Sequence, residues 1–345
     1  MVCVDSFGPI FNAGRGLPRR AFELRGSAMT NVPGPKLDPV VALLLRMLPE
    51  RNGVPPRPEA LRAEFGRLTK LTRYRGAGRA GGIENLVLDG GLPARLYRPT
   101  APPPVPTIVF FHGGGWVVGT IDGYDAQCKR LRDGTGAAVL SVGYRLAPEA
   151  PFPAPVEDAV AATRWAARNV ARLGADAGRL AVAGDSAGAN LAAAVAQLLR
   201  YEIALHAQLL IYPGMDSVGL RSGEASLRFP SHTAYASGYF LTLERMKWYA
   251  DQYVPNEEDR HDPRASPLRA SNLARVAPAV IATAGFDPLL DEGRAYATAL
   301  RSANIPVTYL EFPRLVHGFF ALASLSPGAR RAAAATCAAF KRVLS

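Results

Sequence analysis

Cysteine, histidine and lysine are all scarce in this chain, and each scarcity removes a class of protein. Three cysteines, Cys3, Cys128 and Cys337, are an odd number at wide separations in 345 residues. Neither a disulfide framework nor a metal knuckle can be read from them, and a reducing, cytoplasmic setting is expected. With only five histidines, no conventional zinc site is expected either. The formal net charge of +11 comes from five lysines and thirty-five arginines against twenty-nine acids. These bases are spread along the chain without a dense block, and no zinc-finger spacing, aromatic RNA-binding strand or basic helix accompanies them, so no nucleic-acid partner is expected. Alongside so much Ala, Gly and Pro, the arginine excess reads as compositional bias. Long apolar runs are missing too: nothing approaches the ~20 residues of a spanning helix, so stable membrane insertion is not expected. The opening MVCVDSFGPIFNAGRGLPRR has no apolar core of about 7 to 15 residues behind a basic start, and export through a secretory signal is not expected.

What the chain does have is a 48% apolar composition arranged in short runs. Residues 1–36 show neither helical nor strand periodicity and are expected to form a flexible N-terminal arm. Two amphipathic patterns, 38–48 and 58–71, joined by the breaker-rich RNGVPPRP, predict helices within a 37–84 segment that precedes the main fold. From residue 85 onward β-branched runs (NLVLD, ARLYRP, TIVFFHG, AAVLSVGYR, RLAVAGDS, AQLLIYP, AVIATAG, VTYLEF) alternate with helical segments at 127–134, 156–173, 187–199 and 292–303. This alternation predicts an α/β fold with a mostly parallel central sheet flanked by helices. TIVFF and AVIATA are apolar on both faces, as central parallel strands should be, whereas the first two runs are close enough to pair antiparallel. The rhythm breaks between Pro213 and Pro278, where no convincing strand occurs and helical patterns fall at 235–240 and 243–253. The reading is an α/β domain of residues 85–213 and 278–345, interrupted by an insertion at 214–277 that sits over one end of the sheet.

RLAVAGDSAGANLAAAVAQLL places Gly184-Asp185-Ser186-Ala187-Gly188 where a strand stops and a helix begins. This is the context a G-x-S-x-G nucleophile elbow requires, with small residues two before and two after the serine so that the turn can hold its hydroxyl exposed. His112-Gly113-Gly114-Gly115-Trp116 directly follows TIVFF. Its glycines can aim N–H groups at an oxyanion; no Lys-Ser/Thr and no G-x-G-x-x-G follow to suggest a phosphate loop. Trp116 is expected to pack under the loop rather than stack a cofactor. A serine hydroxyl needs a base, and the base an orienting carboxylate. His112 is inside the glycine loop, His206 introduces an apolar strand, and His232 and His261 lie in the insertion. His317 follows VTYLEF by a short loop, near the chain's end, and is the candidate base. Asp287 comes immediately after AVIATAG and is the better candidate acid. Asp291 and Glu292 read instead as charges complementing a helix N-terminus. Glu149, Glu157 and Asp158 read as structural.

With HGGGW, YRLAPE (144–149), GDSAG, DPLLDEG (287–293) and HGF (317–319) in this order, the chain from residue 37 onward resembles the bacterial hormone-sensitive lipase-like esterases of the α/β-hydrolase fold, nearest their GDSAG subgroup. Ala189 departs from the glycine usual there, a change a helix accepts readily. The resemblance implies a serine carboxylesterase for short- to medium-chain esters that uses no cofactor and no metal. Ser186 would attack the carbonyl, His317 would shuttle the proton and Asp287 would orient the imidazole. The amides of Ala187 and of two among Gly113, Gly114 and Gly115 would form the oxyanion hole. The expected partner is a small-molecule ester; a homodimer stays open. The resemblance also implies that the insertion at 214–277 and the N-terminal helices (37–84) form a helical cap over the pocket of a catalytic domain made of 85–213 and 278–345. The cap aromatics Phe229, Tyr235, Tyr239 and Phe240 are candidate pocket walls, with plain cap packing as the other reading. Amide or lactone hydrolysis by the same triad stays open. A receptor-like, non-catalytic member, as in the plant gibberellin receptors that lack the catalytic histidine, is disfavoured by the presence of His317.

Overall fold

The computed structural model describes residues 35–47, 57–74, 76, 81–220 and 228–345. Residues 1–34, most of the expected N-terminal arm, lie outside the described residues. Eight strands form one sheet: β1 (Ile83–Val87), β2 (Pro93–Tyr97), β3 (Val105–Phe111), β4 (Ala138–Val142), β5 (Ala175–Asp185), β6 (Ala207–Ile211), β7 (Ala279–Phe286) and β8 (Val307–Val316). Their spatial order is β1-β2-β4-β3-β5-β6-β7-β8. The first two pairings, β1 with β2 and β2 with β4, are antiparallel, and all the others are parallel. The central strands β4 and β6 bury every residue, as their doubly apolar sequences require. The edge strand β1 buries only Leu86.

The helices are α1 (Pro39–Met47), α2 (Pro58–Thr69), α3 (Asp125–Thr135), α4 (Ala154–Arg168), α5 (Val170–Leu173), α6 (Ala187–Leu198), α7 (Pro230–Ala234), α8 (Leu243–Tyr253), α9 (Leu290–Ser302), α10 (Phe319–Leu322) and α11 (Pro327–Leu344). Side chains of α4, α6 and α9 build the core on one face of the sheet, and those of α3, α10 and α11 the core on the other. None of the described helices is long and apolar enough to cross a membrane.

Local signals set several boundaries. Asp38 starts α1 by accepting the amides of Val40 and Val41, each at 3.1 Å. Ser326 and Thr242 cap α11 and α8 by accepting the amides three residues on, each at 3.2 Å. One helical pattern does not form a helix. Residues 235–240 are a chain of bends, and the single turn of helix lies just before them, at α7. Pro230 suits the first position of a helix, while Gly238 and Phe240 take φ of 84° and 76°, which a right-handed helix cannot contain. Among the described residues, the segment between β6 and β7 contains no strand.

Candidate functional site

Ser186 sits between β5 and α6 with φ 55° and ψ −120°, a conformation forced on a non-glycine residue by the reversal from strand to helix. Gly188 shows why the turn needs small neighbours. A Cβ there would lie 2.0 Å from the carbonyl oxygen of Phe111, so α6 packs backbone to backbone against the end of β3. The amide of Ser186 donates to the carbonyl of Ile211 at 2.8 Å, which pins the elbow to β6.

The ends of three strands deliver one hydrogen-bonded chain of side chains. His317 follows β8, and its Nε2 lies 2.9 Å from Ser186 Oγ. Its Nδ1 lies 2.8 Å from Asp287 Oδ2, just past β7. Asp287 is buried, and its other oxygen accepts the Leu289 amide at 2.9 Å, which fixes the carboxylate's orientation. The Tyr212 ring packs on the imidazole with centroids 4.7 Å apart. Asp291 is not part of this chain; it accepts from the Ser231 amide and pairs with Arg294 at the start of α9.

The glycine loop converges on the same serine, with one correction to its expected use. The Gly113 amide donates to Asp185 Oδ1 at 2.8 Å, so it is committed within the protein and unavailable to an oxyanion. Gly114 and Gly115 take φ of 108° and 59°, and among the described residues neither their amides nor that of Ala187 meets a protein acceptor. A side chain at Gly114 would also strike the Val118 carbonyl at 2.4 Å. Trp116 packs beneath the loop, stacked on Tyr253 at 4.2 Å. His112 is buried between the rings of Tyr124 and Tyr144, and burial lowers its pKa to about 4, so it stays neutral and structural.

The remaining candidates are outside this centre. His206 Nε2 meets the Val343 carbonyl at 2.9 Å, and His261 lies beside Arg269 at the surface. Arg145 grips Asp158, while Arg62 of α2 forks onto Glu149 and also donates to the carbonyls of Val117 and Ala147. That arginine holds the Glu149 carboxyl down to about 2 and straps α2 to the segments after the glycine loop and after β4. Glu292, like Asp291, lies in the first turn of α9, where an acid complements the helix dipole, but it also does more. It is buried, accepts the amides of Met215 and Asp216 and meets His232 Nε2 at 2.8 Å, and burial pushes its pKa up. Nothing local distinguishes it from Asp291; only the packing of α7 over α9 turns it inward.

A cavity of about 390 Å³ opens over Ser186, walled by Leu61, Phe65, Leu220, Met246, Leu289 and Leu322 among others. Of the four cap aromatics singled out, only Phe240 lines it. Phe229 packs on His232, and Tyr235 and Tyr239 pack on Phe286. The wall also includes Tyr249 of α8, whose ring lies directly against Gly115 of the glycine loop. Among the described residues no group of three or more His, Cys, Asp or Glu side chains is placed to hold a metal ion.

A family model described as alpha/beta hydrolase fold matches residues 108–321. The chain is 44% identical to the carboxylic ester hydrolase LipN of Mycobacterium tuberculosis over 247 residues, which are 69% of this chain and 64% of that protein. It is 38% identical to the esterase LipI of the same organism over 312 residues, 86% of this chain and 92% of LipI. The crystal structure of a thermostable esterase from Pseudomonas putida superposes with a TM-score of 0.81 at 33% identity, covering 91% of this chain and 98% of that one. With these motifs in this order on this sheet, and with matches running through most of its length, the chain belongs to the α/β-hydrolase family, in its hormone-sensitive lipase-like esterase branch.

Proposed function

We propose that this carboxylic ester hydrolase is a serine carboxylesterase for short- to medium-chain esters, working through Ser186, His317 and Asp287 and an acyl-enzyme intermediate. The observation that carries the reading is the placement of His317, with Nε2 2.9 Å from Ser186 Oγ and Nδ1 2.8 Å from a buried Asp287 carboxylate. Such a base can accept the hydroxyl proton while Asp287 holds its tautomer and supports the imidazolium that forms. Ser186 Oγ bonds to the ester carbonyl carbon as its proton passes to Nε2. The tetrahedral oxyanion is met by the amides of Ala187, Gly114 and Gly115, aided by the start of α6. Collapse breaks the carbon–oxygen bond to the alcohol, which leaves with the proton from Nε2. Water then repeats the sequence on the acyl-enzyme, and releases the carboxylic acid and the free serine.

The cavity supports a limit on chain length. Its walls are largely apolar and it is bounded by α2, α8 and α10. Across p-nitrophenyl esters from acetate to palmitate, below their micelle concentrations, kcat/KM is expected to climb while the pocket fills and then fall at its wall. The optimum is expected at about four to eight acyl carbons, a range taken from the family resemblance, and the slope reflects about 0.8 kcal/mol per buried methylene. Preference for palmitate, or a jump in rate at an oil–water interface, would contradict it. Matching p-nitroanilides test amide hydrolysis and are expected to turn over far more slowly. Activity is also expected to survive EDTA, because the steps above use only protein groups and water; loss on chelation with recovery on adding zinc would reject the serine mechanism.

A further inference from the structure

A nucleophile elbow needs small residues two before and two after its serine, here Gly184 and Gly188, and places no demand on the residue just before it. Position 185 nevertheless holds a carboxylate buried to 5% exposure. A buried carboxylate is costly unless hydrogen-bonded, and this one has three donors from three different elements. Oδ1 accepts the Gly113 amide of the glycine loop at 2.8 Å. Oδ2 faces the hydroxyls of Tyr124, at the start of α3, and Tyr212, just past β6, each at 3.3 Å. The Tyr212 ring is the one that packs on His317.

We propose that Asp185 is a positioning residue for the ester hydrolysis above, tying the glycine loop, the nucleophile turn and the ring that backs the histidine into one rigid unit. The inference rests on the reading of Ser186, His317 and Asp287 given under Proposed function. Its physical content is the setting of the oxyanion donors. With Gly113 anchored to the residue next to the nucleophile, the amides of Gly114 and Gly115 are held at a fixed distance from Ser186 before any ester arrives. The Tyr144 hydroxyl adds a second anchor, donating to the His112 carbonyl at 2.6 Å. Burial raises the Asp185 pKa to about 6, opposed by the hydrogen bonds from the Gly113 amide and the two phenols. In its ionised form the carboxylate makes a charge-assisted bond to Gly113.

The test compares D185A and D185N in the full-length protein, measuring kcat and KM on p-nitrophenyl butyrate and the inhibition constant of an aryl trifluoromethyl ketone. That ketone adds to Ser186 and places an oxyanion in the hole, so it reads the donors directly. D185A is expected to lower kcat about 10²-fold with KM nearly unchanged, the scale of a displaced transition-state donor, and to weaken the ketone in parallel. In D185N the side-chain carbonyl still accepts from Gly113 without the charge, so the loss should shrink to about tenfold while staying measurable. Wild-type kinetics in D185A would overturn the inference, and so would a loss of kcat with ketone affinity intact. If D185A fails to fold, D185N decides alone: a parallel drop in kcat and ketone affinity supports the role, and wild-type values for both reject it. S186A is run alongside. Activity retained there would reject the reading of the triad itself, whereas S186A dead with D185A fully active rejects only the role of Asp185.

Discussion

Ser186→Ala is expected to lower kcat on p-nitrophenyl esters about 10⁶-fold while leaving the protein folded. The loss is of this order because nucleophile and base act as a unit: without Oγ, His317 has no proton to accept and no covalent intermediate forms. A residue of catalysis should survive, roughly 10³- to 10⁴-fold over the reaction in water, because the oxyanion donors and the apolar pocket remain and can act on a directly attacking water. Stability should change by no more than about 1 kcal/mol, because the serine side chain's hydrogen bond is to His317 and alanine accepts the same backbone turn nearly as well. Steady-state kinetics together with thermal melting check both halves. Retention of more than a tenth of wild-type turnover would remove Ser186 as the nucleophile.

Gly188→Ala should be nearly as damaging for a different reason, and here two physical effects have opposite signs. Helix propensity alone favours alanine over glycine in α6 by about 1 kcal/mol. Against it stands the 2.0 Å approach of the new methyl to the Phe111 carbonyl, with the His112 carbonyl at 2.6 Å, both of them backbone atoms that no rotamer change can move. Overpacking of this kind costs about 3 kcal/mol or more and must push α6 off β3, so the clash outweighs the propensity. The shift would carry Ser186 away from the glycine loop, and activity should fall with stability. Gly66 in α2 provides the control, since a Cβ there meets nothing within 4 Å. Gly66→Ala should stabilise by up to about 1 kcal/mol. Chemical denaturation of the two variants checks the pair; equal effects would mean that the backbone approach at Gly188 does not decide the outcome.

The contrast between these two glycines marks what could be read from the chain and what could not. Strand–helix alternation after residue 85, the doubly apolar runs of β3 and β7, and the elbow at Ser186 depend on local pattern and backbone geometry, so the sequence carries them openly. The order Ser186, Asp287, His317 was legible for a related reason: parallel strands all end at one rim, so residues just past β5, β7 and β8 must converge there. The N-terminal helices were legible within about two residues, because Asp38 and the proline at position 58 punctuate them locally.

What local pattern left open depends on partners distant in sequence. Gly113, Gly114 and Gly115 are chemically identical, and only the approach of Asp185, seventy-two positions on, decides which amide is consumed. Glu292 and Asp291 are adjacent acids at the start of one helix; their different fates depend on whether α7 and the turn after β6 close over that side. The cap aromatics carry no periodicity that could reveal which way each faces, and Gly238 and Phe240 break the helix that would have oriented them. The sequence by itself determined the sheet, the rim and the three side chains that meet there. Tertiary packing alone decided which buried hydrogen-bonding groups are spent inside the protein and which remain to face a substrate, because those pairings join segments that local sequence does not connect.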